Sequence, residues 1–104
     1  MKKHLLVGAT AAGTSRNERM PTANVTAIIV ATGASGTPSV LIQLEASMDD
    51  GASWVIVAGP SNITANGQYK LAKPTGEFYE TYRLNITQFT GTLIIDGWLG
   101  GGPE

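Results

Sequence analysis

The sequence has 104 residues, 42% hydrophobic and only 14% charged, with a formal net charge of -1 and no cysteine. That length supports one domain with a continuous apolar core and excludes a propeller or a two-domain enzyme. Without cysteine there is neither a disulfide framework nor a thiolate metal site. The seven Lys and Arg are scattered at positions 2, 3, 16, 19, 70, 73 and 83, so no basic stripe exists to neutralise a phosphate backbone, and nucleic-acid binding is not expected.

The chain opens with MKKHLLVGATAAG. His4 interrupts the basic start, and Leu5, Leu6 and Val7 are too short an apolar run for a secretory signal; no stretch approaches the roughly 18 consecutive apolar residues of a membrane span. Residues 4–8 fit a short strand, and residues 9–23, small, polar and weakly periodic, fit an arm or long loop. A strand follows at 24–31, then the loop TGASGTP, then a strand at 39–47 in which Val40, Ile42, Leu44 and Ala46 share one face while Gln43 and Glu45 share the other. Residues 54–58 are apolar on both faces, and GPSN breaks the chain after them. Short strands at 62–64 and 67–72 flank the Asn66-Gly67 turn. KPTGE turns the chain again before residues 78–89, where Tyr82, Leu84 and Ile86 alternate with Arg83, Asn85 and Thr87. Thr90-Gly91 makes a tight turn into residues 92–99, and GGGPE frays.

Seven or eight short strands with a turn every 8 to 12 residues predict an all-β, antiparallel β-sandwich of jelly-roll or immunoglobulin-like type. The expected organisation is an N-terminal arm or loop, partly extended, over 1–23, a sandwich over 24–99 and a flexible tail over 100–104. Val40, Ile42, Leu44, Trp54, Ile56, Tyr82, Leu84, Ile86, Leu93 and Ile95 are the expected core.

The segment SMDDGASW fits the pattern Ser-x-Asp-x-Gly-x-Ser/Thr-Trp and resembles the Asp-box of sialidase propellers, at Ser47, Asp49, Gly51, Ser53 and Trp54. Its spacing has a local reason: an Asp in a turn accepts bonds from nearby backbone N–H groups, Gly51 permits positive φ, and the Trp ring covers the hairpin base. The box occurs once in a chain too short for a propeller, so it predicts a structural turn. Asp49 and Asp50 alone supply too few ligands for a cation, and no metal or cofactor is expected.

Catalysis is not expected either. His4 is the only histidine and belongs to the predicted mobile start, where it reads as a solvated end residue. Glu45, Glu77, Glu80 and Asp96 could be imagined as a glycosidase acid pair, but strand-face carboxylates are usually solvated or paired, and Arg83 is a plausible cross-strand partner for Glu45. The aromatics Tyr69, Phe78, Tyr79, Phe89 and Trp98 could form a row of exposed rings for sugar binding or an apolar interface; Trp98 shares a face of the last strand with Ile94 and Asp96, opposite Leu93 and Ile95, and that side offers an apolar patch. The candidate interface residues are Ile94 and Trp98 with Arg16 and Arg19 of the polar arm.

The runs QLEASMDDGASWVIVAG, ITANGQYKLA and YETYRLNITQFTGTLIIDGWL, across residues 39–99, resemble a group of small tailed-bacteriophage virion proteins. The resemblance implies a capsid decoration or cement protein without catalytic activity, made in the host cytoplasm and carried on the capsid surface. Its implied partners are the major capsid protein and copies of itself, as a homotrimer or other homo-oligomer, with weak contacts made additive by many copies and the arm ordering across neighbouring subunits. The alternative is a tail or fibre component with a carbohydrate-binding sandwich.

Overall fold

The computed structural model describes residues 2–20, 24–74 and 76–102, with Lys2 and Gly102 by main chain alone. The described residues form seven antiparallel strands: β1 (Lys2–Ala9), β2 (Gly13–Thr14), β3 (Glu18–Arg19), β4 (Asn24–Ser47), β5 (Val55–Ile63), β6 (Gly67–Ala72) and β7 (Thr81–Gly102). Two of them are very long, β4 at 24 residues and β7 at 22, and they pair with each other from Asn24↔Gly102 to Ser47↔Thr81. β5 and β6 line the free side of β4, while β1, β2 and β3 line the free side of β7.

This continuous ladder folds over on itself. The front half pairs β1, the C-terminal part of β7, the N-terminal part of β4, and β6; the back half pairs β2 and β3, the N-terminal part of β7, the C-terminal part of β4, and β5. Four extended segments thus each cross both halves, in the order N-terminal segment, β7, β4, β5–β6, which is the antiparallel double-sheet arrangement of a jelly roll.

The alternation of side chains records the fold-over. In β4 the buried residues are Val25, Ala27, Ile29 and Ala31 and then Val40, Ile42, Leu44 and Ala46; in β7 they are Tyr82, Leu84 and Ile86 and then Leu93, Ile95 and Leu99. A strand keeps one parity on one face, so each long strand changes parity between its halves. The β4–β7 register shifts between Thr32 and Ser39, where the change occurs. At this corner Gly91 has φ 79°, and a Cβ there would lie 2.8 Å from the Pro38 Cα, so only glycine lets the two backbones cross so closely. Inside the sandwich, a Cβ on Gly97 would lie 2.7 Å from Leu84 Cδ1 and 3.4 Å from Leu6 Cδ1. Those contacts bring the front half of β7 against its own back half.

Several expectations are corrected here. Loops and turns predicted at TGASGTP, GPSN and Thr90-Gly91 are bends within continuous strands: glycine and proline mark where strands cross the corner or bulge, not where they end. The predicted arm is part of the sheet. Its residues pair with both ends of β7, β1 opposite Ile95 to Gly100 and β2 and β3 opposite Ile86, Asn85, Tyr82 and Thr81; Ser15 N donates to Leu84 O at 2.8 Å, Met20 N donates to Glu80 O at 3.1 Å, and Leu5, Leu6 and Met20 are buried in the core cluster. Its small polar composition reflects edge exposure. Residues 21–23 of that stretch lie outside the described residues. Of the predicted tail, residues 100–102 continue β7 in pairing with β4, and 103–104 lie outside the described residues.

The predicted core is right except at Trp54 and Ile56. Ile56 is 54% exposed, Trp54 is half-buried, and Val57 is the inward residue, at 8%. The β4–β5 register shifts between Ile42, Leu44 and Glu45, which inverts the phase of β5; a run apolar on both faces carried no parity signal to reveal it.

Candidate functional site

The described residues bring together three groups of functional side chains: the turn at 47–54 and the outward faces of the two halves.

The turn is closed by its own hydrogen bonds. Ser47 Oγ donates to Asp49 Oδ1 at 2.7 Å and accepts from Gly51 N at 2.9 Å. Asp49 Oδ1 also accepts from Ser53 N at 2.9 Å, its Oδ2 accepts from Ser53 Oγ at 2.6 Å, and Trp54 Nε1 donates to Gly51 O at 3.1 Å. Asp50 and Gly51 take φ of 63° and 91°; the short polar side chain of Asp and the missing Cβ of Gly admit this left-handed pair. The bonds from the Ser53 and Ser47 hydroxyls, followed by that from Ser53 N, lower the Asp49 carboxyl to about 2. The carboxylate spends its lone pairs within the turn, so Ser47, Asp49, Gly51, Ser53 and Trp54 form a corner joining β4 to β5. Among the described residues no three His, Asp or Glu side chains come together as metal ligands.

The outward face of the front half carries an apolar strip bordered by polar residues, with Asp96 beside Val30 and Lys70 beside Ile28. Ile28 and Ile94 are 37% and 39% exposed, and Val30 and Trp98 are half-buried. Trp98 is held from the β1 side: the His4 ring stacks on it with centroids 4.3 Å apart and planes 7° apart, and His4 Nε2 lies 3.3 Å from Asp96 Oδ1, which also accepts from Gly8 N at 3.0 Å. From the β4 side it borders an open groove of about 490 Å³ lined by Asn24, Thr26, Ile28, Val30 and the main chain of Gly100 and Gly101. The reading of His4 as a solvated end residue is therefore corrected. The contact joins positions 92 residues apart, and nothing local in the sequence signals it.

The outward face of the back half carries a polar cluster, flanked by the exposed Ile56 opposite Glu45. Glu45 and Arg83 are register partners, as are Gln43 and Asn85. Arg83 Nε donates to Glu45 Oε1 at 2.7 Å, and Gln43 Nε2 and Asn85 Nδ2 donate to Glu45 Oε2 at 2.6 and 2.9 Å. The Arg83 guanidinium lies over the Trp54 ring, 4.1 Å from its centroid. Burial opposes ionisation of Glu45, but the hydrogen bonds from Asn85, Gln43 and Arg83, with the Arg83 charge, outweigh it and hold the carboxyl below its ordinary range. The expected Glu45–Arg83 pair is present; Gln43, Asn85 and Trp54 as its companions were not foreseen.

The four candidate interface residues do not share a surface. Ile94 and Trp98 are on the front face, whereas Arg16 pairs with Glu18 at 3.1 Å and Arg19, opposite Thr81, approaches Glu80 at 3.6 Å, both beside the back half. Nor do the aromatics form a row. Tyr69, Tyr79 and Phe89 pack against the core, and Phe78 is exposed with Lys73 Nζ 5.5 Å from its ring centroid.

Scanned against protein families and against curated proteins, the sequence matches none. Solved structures do share the fold. The SPBc2 prophage-derived protein YomS matches with a TM-score of 0.61 at 10% identity, over 95% of this chain and 90% of that one. PirA matches with a TM-score of 0.55 at 14% identity, over 94% and 89%. The VP2 subviral particle of infectious bursal disease virus matches with a TM-score of 0.51 at 12% identity, over 95% of this chain and 28% of that one. At these identities the likeness concerns architecture: the chain is an all-β sandwich of a kind found in a prophage-derived protein and in a viral particle protein.

Proposed function

We propose that the protein is a non-enzymatic structural component of a phage virion, a decoration or cement protein on the capsid surface. It docks the outward face of the front half on the major capsid protein and on copies of itself, as a homotrimer or other homo-oligomer. The carrying observation is that face: Ile28, Val30 and Trp98 line one apolar groove on a sparsely charged molecule, Ile94 is exposed farther along β7 beyond Asp96, and Trp98 is stacked on His4. Contacts of this kind favour association when water is excluded, and many copies on a lattice add weak contacts into a stable layer. The fold shared with a prophage-derived protein supports the same reading.

Residues 2–20 have a different part from that of a free arm. They form the outer edge along β7, so deleting them removes part of the fold together with any contact to neighbours. The clean test leaves them intact. Co-sedimentation with capsids should be lost in Ile28→Lys and Ile94→Lys while both variants keep the wild-type fold by circular dichroism. Undiminished binding by the doubly substituted protein would refute docking through this face.

A further inference from the structure

We propose that the outward face of the back half is a binding site for neutral polyhydroxylated ligands, the sugar units of an oligosaccharide, built from Gln43, Glu45, Arg83, Asn85 and Trp54. It lies on the opposite sheet from the proposed docking face and stands whether or not that face docks.

The first ground is the state of the four polar side chains. Gln43 is 8% and Glu45 6% exposed although both point outward from the sheet. Glu45 sits at the centre and accepts from Arg83, Gln43 and Asn85. Each of the three donors spends one group on it and keeps others. Gln43 Oε1, Asn85 Oδ1 and the two terminal Arg83 nitrogens make no hydrogen bond to the described protein, and none is sealed from solvent. Two amide acceptors and a guanidinium fork are thus fixed by their other ends and keep hydrogen-bonding capacity that the protein does not use.

Stability alone gives little reason for such a cluster. A buried ion pair roughly breaks even against apolar side chains of equal volume, and β4 and β7 already pair along their whole length. A row of side chains fixed before binding does lower the ordering cost of holding a ligand.

The ligand class follows from charge and direction. Glu45 and Arg83 neutralise each other at 2.7 Å, so the face offers no net charge to a phosphate or a carboxylate. Gln43 and Asn85 face each other across adjacent strands, as do Glu45 and Arg83, which sets donors and acceptors about 5 Å apart. A hydroxyl both donates and accepts, so neighbouring sugar hydroxyls can satisfy both kinds of group. The Arg83 guanidinium covers one face of the Trp54 ring, so the half-buried indole adds an apolar edge beside the polar groups that the C–H atoms of a sugar can rest against. An extended peptide suits the site less well: strand addition uses the free edge of a sheet, and this cluster lies between two paired strands.

The test is a titration of the ¹⁵N-labelled full chain with maltohexaose, cellohexaose and N-acetylchitohexaose, following the indole N–H groups of Trp54 and Trp98, Arg83 Nε and the side-chain amides of Gln43 and Asn85. At least one sugar is expected to shift the Trp54, Arg83 and Asn85 signals with saturation, leaving Trp98 unmoved. Asn85→Ala and Gln43→Ala should each weaken that binding by about tenfold, the loss of roughly one hydrogen bond. Two variants guard against one failing to fold. No saturable shift with any of the three sugars, shifts confined to the Trp98 groove, or shifts at the cluster produced by the capsid partner and by no sugar would each overturn the assignment.

Discussion

On the front half, β4 and β7 turn Ile28, Val30, Ile94 and Trp98 outward, whereas on the back half the same two strands turn out Gln43, Glu45, Arg83 and Asn85. One pair of strands therefore carries an apolar surface at one end and a hydrogen-bonded polar cluster at the other. The parity change at the corner makes this possible. Because each strand switches which parity faces inward near Gly33, Gly36 and Gly91, the outward residues of the two halves form separate sets and can take on separate chemistry. The apolar face depends on water exclusion and suits a broad protein contact, while the polar face depends on direction and suits a ligand with donors and acceptors in fixed places.

The strongest way to break this comparison is to delete residues 2–20, which border both halves. Burying Leu5, Leu6 and Met20 contributes about 1.5–3 kcal/mol each, a sum comparable with the whole stability of a small domain at about 5–15 kcal/mol. The truncated chain is expected to lose its cooperative urea transition. A transition within experimental error of the full chain would mean that this segment adds nothing to the core.

Next in size is a paired substitution, one on each face. Arg83→Ala leaves Glu45 buried with its charge uncompensated and is expected to cost about 2–4 kcal/mol in urea denaturation. Trp98→Ala removes a half-buried ring at the surface and should cost about 1–2 kcal/mol. The reverse order would show that the polar cluster is not the more tightly held of the two.

A pH series sharpens the same contrast. The folded Glu45 carboxyl titrates below its ordinary value of 4.5, so its contribution is fully present above that value and is lost as pH falls through the folded value. Glu45→Gln should flatten the dependence of stability on pH below about 4.5. Trp98→Ala should leave that slope unchanged, and a shared slope in both variants would break the link to Glu45.

The smallest effect is expected between the two faces. Tyr82 is fully buried and burial pushes its phenol up to about 12 against a smaller opposing pull from the Tyr79 main chain, which approaches the hydroxyl without completing a hydrogen bond of normal geometry. Removing a buried polar group that lacks a partner relieves its desolvation cost, so Tyr82→Phe should raise stability by up to about 1 kcal/mol. A loss of stability in thermal unfolding would mean that the hydroxyl has a partner in solution.

Local chemistry was legible in the sequence. The alternation in residues 40–46 and 82–86 gave strands and their buried sides, because a half-buried strand writes its environment with a period of two. The spacing of SMDDGASW gave a turn, since Ser47, Asp49, Gly51 and Ser53 close it with bonds spanning at most four residues. The Glu45–Arg83 pair was legible for a related reason: once two strands are aligned by parity, opposite charges at facing positions find each other.

What only the tertiary structure decided lies at longer range. Glycine and proline signal a departure from regular backbone without saying whether the chain turns back or bends onward, so β4 and β7 looked like four strands until their pairing joined each across the corner. Val57 rather than Ile56 faces inward because a bulge against β4 sets the phase of β5, and its sequence is apolar on both sides. The stack of His4 on Trp98 and the docking of residues 2–20 along β7 depend on bringing the two ends of the chain side by side. Periodicity reports which side of a strand is buried; which strands lie beside one another is settled by the closing of a common core, and the assembly of both outward faces follows from that.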